Sequence, residues 1–136
     1  MSMEISWLVE GKVLRLAMNG NLTEKQLTSV DDQMIKFLKA GSALMVHIVL
    51  DGERLTGLPT INDLSRMRAL AHPRAGWVVT TGLARKPTFK TAFMLLAQIL
   101  QFRHAEADHL QNALSFLESV DPELPESYTG IEVART

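Results

Sequence analysis

The sequence predicts one α/β domain: a mixed, mostly parallel sheet of about five strands, opened by an N-terminal β-hairpin and covered by about four helices. Three observations carry this reading. Short β-type runs and helix-period runs alternate along the chain, the pattern of strand–helix–strand crossovers. The first two β-type runs are separated only by a tight turn, so that pair is antiparallel. A nearly continuous apolar run, Leu44 to Leu50, is broken only by His47 and fits a central strand buried on both faces.

Taken in order, Glu4–Val9 and Lys12–Met18 are the hairpin strands, with Glu10-Gly11 between them, and Asn19-Gly20-Asn21 breaks the second. Thr23-Glu24-Lys25-Gln26 has the form of a capping box, a hydroxyl followed three residues later by Gln. Leu27, Val30, Met34, Phe37 and Leu38 follow at helical spacing, and Gly41 ends the helix. After the central strand, Asp51-Gly52 closes it and a loop carries Gly57 and Pro59. Thr60 or Asn62 caps a second helix whose inner face is Ile61, Leu64, Met67, Leu70 and Ala71; His72-Pro73 stops it. Trp77–Thr80 is the next strand, ending at Thr81-Gly82, and a third helix runs from about Thr88 to Leu100. Phe102–Ala105 forms a short last strand. Leu110, Ala113, Leu114 and Leu117 mark a fourth helix, ended by Asp121-Pro122. The expected domain therefore spans residues 1–120, with a loosely attached tail over 121–136.

The totals exclude several functions. A chain of 136 residues fits one domain and is long enough to bury a core without metals or staples. Its formal net charge of −1 provides no global field for nucleic acid or an acidic membrane, so any anion site must be local. The absence of cysteine removes disulfides, thiol catalysis and cysteine-bound zinc. The opening Met-Ser-Met-Glu-Ile-Ser-Trp has no basic start followed by an apolar run, and Ala92–Leu100 is about half the length a bilayer span requires. The expected compartment is the cytoplasm.

No phosphate-cradling glycine loop, nucleophile elbow or zinc-helix motif is present, and no serine or threonine has a base at a local spacing. Neither an enzyme nor a cofactor is expected. His104-Ala105-Glu106-Ala107-Asp108-His109 gathers possible metal ligands, yet two acids at a helix N-terminus are accounted for by the dipole alone. No metal is expected. His47 reads as a hydrogen-bonded core residue.

The third helix is more informative. Phe89, Phe93, Leu96 and Leu100 form one stripe; Ala92, Leu95, Ile99 and Phe102 form a second; Met94 lies off both. One stripe suffices for packing on a sheet, so the other meets a second subunit, a membrane, a ligand cavity or other helices of the domain. Phe89, Phe93, Met94 and Leu95 are the candidate contact residues, and a two-fold homodimer is the expected assembly. Arg85, Lys86 and Lys90 crowd the N-terminal end of this helix, against its dipole. With Thr80, Thr81 and Thr88 nearby, the turn is a candidate anion site, the alternative being a solvated basic turn. Ligands of open α/β sheets bind outside the carboxyl ends of the strands, where Asp51 should join them.

The order of elements and several landmarks resemble the SpoIIAA-like family, also described as STAS/Sec14-type domains. The hairpin leads through Gly20-Asn21-Leu22-Thr23 into the first helix, an aliphatic strand ends in Asp51, and Trp77-Val78-Val79 lies where the family has its next strand. Asn112-Ala113-Leu114-Ser115-Phe116-Leu117 is similar to the family's closing helix, and the likeness covers residues 3–120. It implies a binding module similar to anti-sigma-factor antagonists, with membrane association proposed for some members. It also implies a phosphoacceptor at the start of the second helix, where antagonists carry an Asp-Ser-Ser-Gly-type motif. Here the matching stretch is Asp51-Gly52-Glu53-Arg54-Leu55-Thr56-Gly57-Leu58, which keeps a hydroxyl before Gly-Leu at Thr56 but lacks the preceding Asp-Ser. The expected function is thus a non-enzymatic regulatory or binding module, contacting a protein partner or the inner membrane surface through its third helix, with a small apolar or anionic ligand at the carboxyl end of the sheet as a further expectation. The alternative is a switch driven by phosphorylation of Thr56 or Thr60.

Overall fold

The computed structural model describes residues 2–124. Its elements are β1 (Ser2–Val9), β2 (Val13–Asn21), α1 (Glu24–Ala40), β3 (Val46–Gly57), α2 (Ile61–Leu64), β4 (Ala75–Thr81), α3 (Pro87–Leu100), β5 (Arg103–Ala107) and α4 (Leu110–Val120). The strands lie in chain order across one sheet; β1 and β2 are antiparallel, and every later neighbour is parallel. This is the expected mixed sheet, in which each parallel step requires a crossover over the sheet.

Strand periodicity divides the core in two. Leu14, Leu16, Val46, Ile48, Leu50 and Val78 point to the face covered by α1, α2 and α3. Val13, Val49, Val79 and Trp77 point to the other, where Ala113, Leu114 and Leu117 of α4 meet them. A residue-by-residue alternation inside an apolar strand thus fills two cores, which is why Val46–Leu50 is buried on both faces; Leu44, expected in this strand, precedes it and is 86% exposed. Thr23 and Gln26 form both bonds of the capping box, fixing where α1 begins. Its other end is closed by the Arg74 guanidinium, which donates to the carbonyls of Lys39, Gly41 and Ala43.

Two further segments depart from the sequence reading. β3 does not stop at Asp51-Gly52 but continues to Gly57, gaining an extra residue against β2 at each of two register shifts. Helix α2 spans only Ile61–Leu64 rather than reaching Ala71. The reason for the second lies in α1. Asp31, 5% exposed, accepts hydrogen bonds from the backbone N–H groups of Arg68 and Ala69 and from Arg68 Nε. Those donors no longer need a helical carbonyl, so the chain leaves the helix while Met67, Ala69 and Leu70 remain buried.

The first residues of the expected tail are tied down. His47 Nδ1 accepts from the Trp77 backbone N–H at 2.9 Å, which leaves the proton on Nε2 to donate to Asp121 at 2.7 Å. A side chain on Gly76 would meet His47 Nδ1 at 2.4 Å, so the ring's place in the sheet requires glycine there. Leu124 is buried beside α4. The remainder of that tail lies outside the described residues. Among the described residues no helix is long and apolar enough to cross a membrane.

The same contacts set an acid limit. Burial raises the Asp121 carboxyl, but the His47 hydrogen bond, the Glu123 backbone N–H and the charge of Lys12 outweigh it, leaving it below its ordinary value. Burial lowers the His104 imidazole, partly offset by Glu106. A depressed carboxyl contributes stability above its unfolded value, lost as pH falls through the folded one. A depressed histidine resists protonation in the fold, so its contribution fades as pH drops below the unfolded value of about 6.5. Urea midpoints are therefore expected to decline from pH 6.5 downward and again below about pH 4. His104→Gln should flatten the first decline; an unchanged slope between pH 7 and 5 would count against the assignment.

Candidate functional site

The carboxyl end of the sheet holds two cavities rather than one crevice. α3 returns over one face and α4 over the other, so the loops after β4 and β5 diverge and open a space between them. That cavity, about 440 Å³, is lined by Glu53, Gly82, Ala84, Arg85, Lys86, Asp108 and His109. A second, about 280 Å³, lies on the part of the α4-side face that α4 leaves open and is lined by Glu4, Arg15, Ala17, Asn19, Asp51, Glu53 and Arg54. Glu53 borders both.

The expected site residues are distributed between them. Asp51 belongs to the second cavity, where it accepts from Arg15 Nη2 at 2.6 Å and from the Glu53 backbone N–H at 3.2 Å. Thr81 pairs with Asp51 in the ladder and shares its face, but its hydroxyl is buried and has no protein partner; Arg15 Nε is in the same state. Thr80 points the opposite way, into the α3 side, where its hydroxyl meets His104 Nε2 at 3.1 Å. Adjacent residues of one strand cannot share a face, so Thr80 and Thr81 cannot serve one ligand together. Arg85 and Thr88 are exposed.

Lys86 has a different role from the one its position implied. Its ammonium donates to the carbonyls of Gly52, Glu53 and Leu55 at 2.9, 2.6 and 2.9 Å. Three donors meet three acceptors, so the group clamps the far end of β3 to the start of α3. Gly82 allows the approach: at φ +76° it is left-handed, and a side chain there would lie 2.6 Å from the Glu53 backbone. Lys90 is paired with Glu106 at 3.2 Å. Two of the three cations that oppose the α3 dipole, Lys86 and Lys90, therefore have local partners, and Arg85 is exposed at the cavity. Among the described residues no group of three or more His, Asp or Glu side chains could hold a metal ion.

The outer face of α3 is the other candidate surface. Phe93 and Leu96 are in the domain's own core, and Phe89 and Leu100 pack against it, which accounts for the first stripe. Phe102, from the second, also packs inward. Met94, Leu95 and Ile99 remain 49%, 47% and 54% exposed. No charged residue occurs from Thr91 to Gln101.

Thr56 lies exposed on the β3 extension, not at a helix start. The start of α2 is Thr60, whose hydroxyl accepts from the Asp63 backbone N–H and donates to the Asp63 carboxylate at 3.0 Å. The sequence reading also missed Arg15. Its signal was present, a lone cation in the strand Val13-Leu14-Arg15-Leu16-Ala17, two positions from a residue that pairs with Asp51.

Among the described residues, a sheet of this order with one antiparallel edge, three helices on one face and one on the other is the arrangement of the STAS fold. The chain matches the structure of the anti-sigma factor antagonist SpoIIAA in its unphosphorylated form, with a TM-score of 0.63 at 16% identity, covering 87% of this chain and 97% of that one. It also matches a chain of the crystal structure of the diguanylate cyclase SiaD with its activator SiaC from Pseudomonas aeruginosa, and SiaC shares the fold. That match has a TM-score of 0.52 at 19% identity, covering 79% of this chain and 93% of the other. No family model and no curated protein sequence matches.

Proposed function

We propose that the chain is a non-enzymatic regulatory module that acts by binding a partner protein through the outer face of α3. The observation that carries this is the uncharged strip of Met94, Leu95 and Ile99, standing exposed on a helix whose inner stripe already satisfies the core. The fold's neighbours support it, since SpoIIAA is an antagonist of an anti-sigma factor and SiaC an activator of a cyclase: both act on other proteins. We place the module in the cytoplasm. A second copy of the chain and the inner membrane surface are the competing occupants of the strip.

A photoreactive residue at Gln98 is expected to crosslink one discrete protein in cells, and Met94→Glu with Leu95→Glu to reduce that at least about tenfold, given about 1.5–3 kcal/mol per buried apolar side chain. Sedimentation of the pure chain and flotation with anionic vesicles separate the competitors. Vesicle binding without a protein crosslink would replace this reading with a membrane one. Arg85, at the mouth of the 440 Å³ cavity, is the residue we assign to any small anion there.

A second reading rests on Thr60, which occupies the helix start where the family resemblance puts a phosphoacceptor. Phosphorylation would set a dianion against Asp63 and open that cap. Incubation with cell extract and ATP, followed by mass spectrometry, should place a phosphate on Thr60 and not Thr56; an unmodified Thr60 removes this reading.

A further inference from the structure

We propose that a second copy of this chain adds to the free edge of β1, antiparallel across a two-fold axis, with Ile5 opposite Ile5. This surface lies away from α3 and does not depend on the reading above. β1 ends the sheet, and among the described residues no strand pairs with its outer edge. Edges of this kind are normally guarded by proline, lysine or several charges. Ser2–Val9 has no proline, and its one charge is Glu4.

The side chains around the edge fit a strand of the same pattern. Met3, Ile5 and Trp7 lie on the α1 side, each only partly buried, with Ile35 and Phe37 of α1 also partly buried there. Trp7 meets Phe37 edge-on at 5.5 Å. Glu4 and Ser6 are exposed on the opposite face. An added strand must therefore be apolar at odd positions and polar at even ones, which describes Met3–Trp7 of β1 itself, before the irregularity at Leu8.

The two-fold register is fixed by chemistry. Centring on Ile5 sets Met3 opposite Trp7, a sulfur–aromatic pair, and Glu4 opposite Ser6. No like charges face each other. Ser6 is itself opposite Arg15 in the β1–β2 ladder. The partner's Glu4 would then lie in one row with Arg15, two strand spacings away, and Arg15 also holds Asp51, so the row across the seam alternates in sign without a like-charge clash. Backbone bonds along the edge would join both sheets into one.

Sedimentation equilibrium of four proteins tests this: wild type, Ser6→Glu, Ser6→Lys and Leu95→Glu. Ser6 is exposed, so both of its variants should fold, which circular dichroism checks. The wild type is expected to dimerise. Ser6→Glu sets a carboxylate against Glu4 twice per dimer and should raise the dissociation constant at least about tenfold. Ser6→Lys faces the same Glu4 with the opposite sign and should not weaken the dimer, and Leu95→Glu should leave it intact. A wild type that stays monomeric at high micromolar concentration overturns the proposal. So do equal dissociation constants for the two Ser6 variants, or a dimer dissolved by Leu95→Glu alone.

Discussion

Asp31→Ala is expected to lower the free energy of unfolding by about 2–4 kcal/mol, chiefly by leaving backbone donors without their acceptor; its ion-pair partner Arg68 is 65% exposed and adds little. Asp31 is the acid around which the irregular segment after α2 is folded. Its carboxylate receives the N–H groups of Arg68 and Ala69 and the Arg68 Nε, and Ala69 is fully buried. Alanine strands those backbone donors where water does not easily replace the carboxylate, and each buried orphan costs about 1–3 kcal/mol. Asp31→Asn keeps an acceptor but not the charge, so it should lose about half as much. For a domain of this size the alanine variant should melt roughly 10 °C or more below the wild type. A loss under about 1 kcal/mol would mean that the Met67–Leu70 turn is held by its apolar side chains rather than by Asp31.

The Lys86→Met variant is expected to lose about 2–3 kcal/mol, on the order of one to two net charge-assisted hydrogen bonds. Methionine keeps the apolar stem but supplies no donor to the carbonyls of Gly52, Glu53 and Leu55. Part of the loss is offset because Glu53 is exposed and its carbonyl can turn to water. The effect should also be local. Amide exchange of residues 52–57 should accelerate more than that of 46–50, because the latter lie between β2 and β4 while the extension pairs irregularly with β2 alone. Uniform acceleration across β3 would show that the clamp supports the whole sheet instead.

The regular parts of this fold were legible because each rests on neighbours in sequence. Thr23 and Gln26 form the capping box within one turn, and the Glu10-Gly11 turn fixes the hairpin. What was not legible depends on partners far away. Asp31 lies among the inward positions Leu27, Val30 and Met34, and a buried acid there implies donors without naming them; they come from Arg68 and Ala69. Lys86 at a helix N-terminus reads as an anion ligand until the β3 carbonyls are brought to it. Thr80 and Thr81 read as a pair in sequence and face opposite ways in space. The α3 surface was half legible: two apolar stripes were visible, but Phe102 turned out to pack inward, reducing the exposed strip to Met94, Leu95 and Ile99.

Strands laid down in chain order have a consequence for how the chain acquires its structure. As synthesis proceeds, each new strand finds its neighbour already present, and no strand has to insert between two others. The growing sheet is covered by α1, α2 and α3 on one side only; Val13, Val49 and Val79 stay uncovered until α4, the last of the described helices, is made. Chains that have emerged from the ribosome as far as Ala107 should therefore carry the whole sheet with one sticky side, and be the species most in need of a chaperone. The bond between His47 and Asp121 joins residues 74 positions apart, so it can form only after that side has closed.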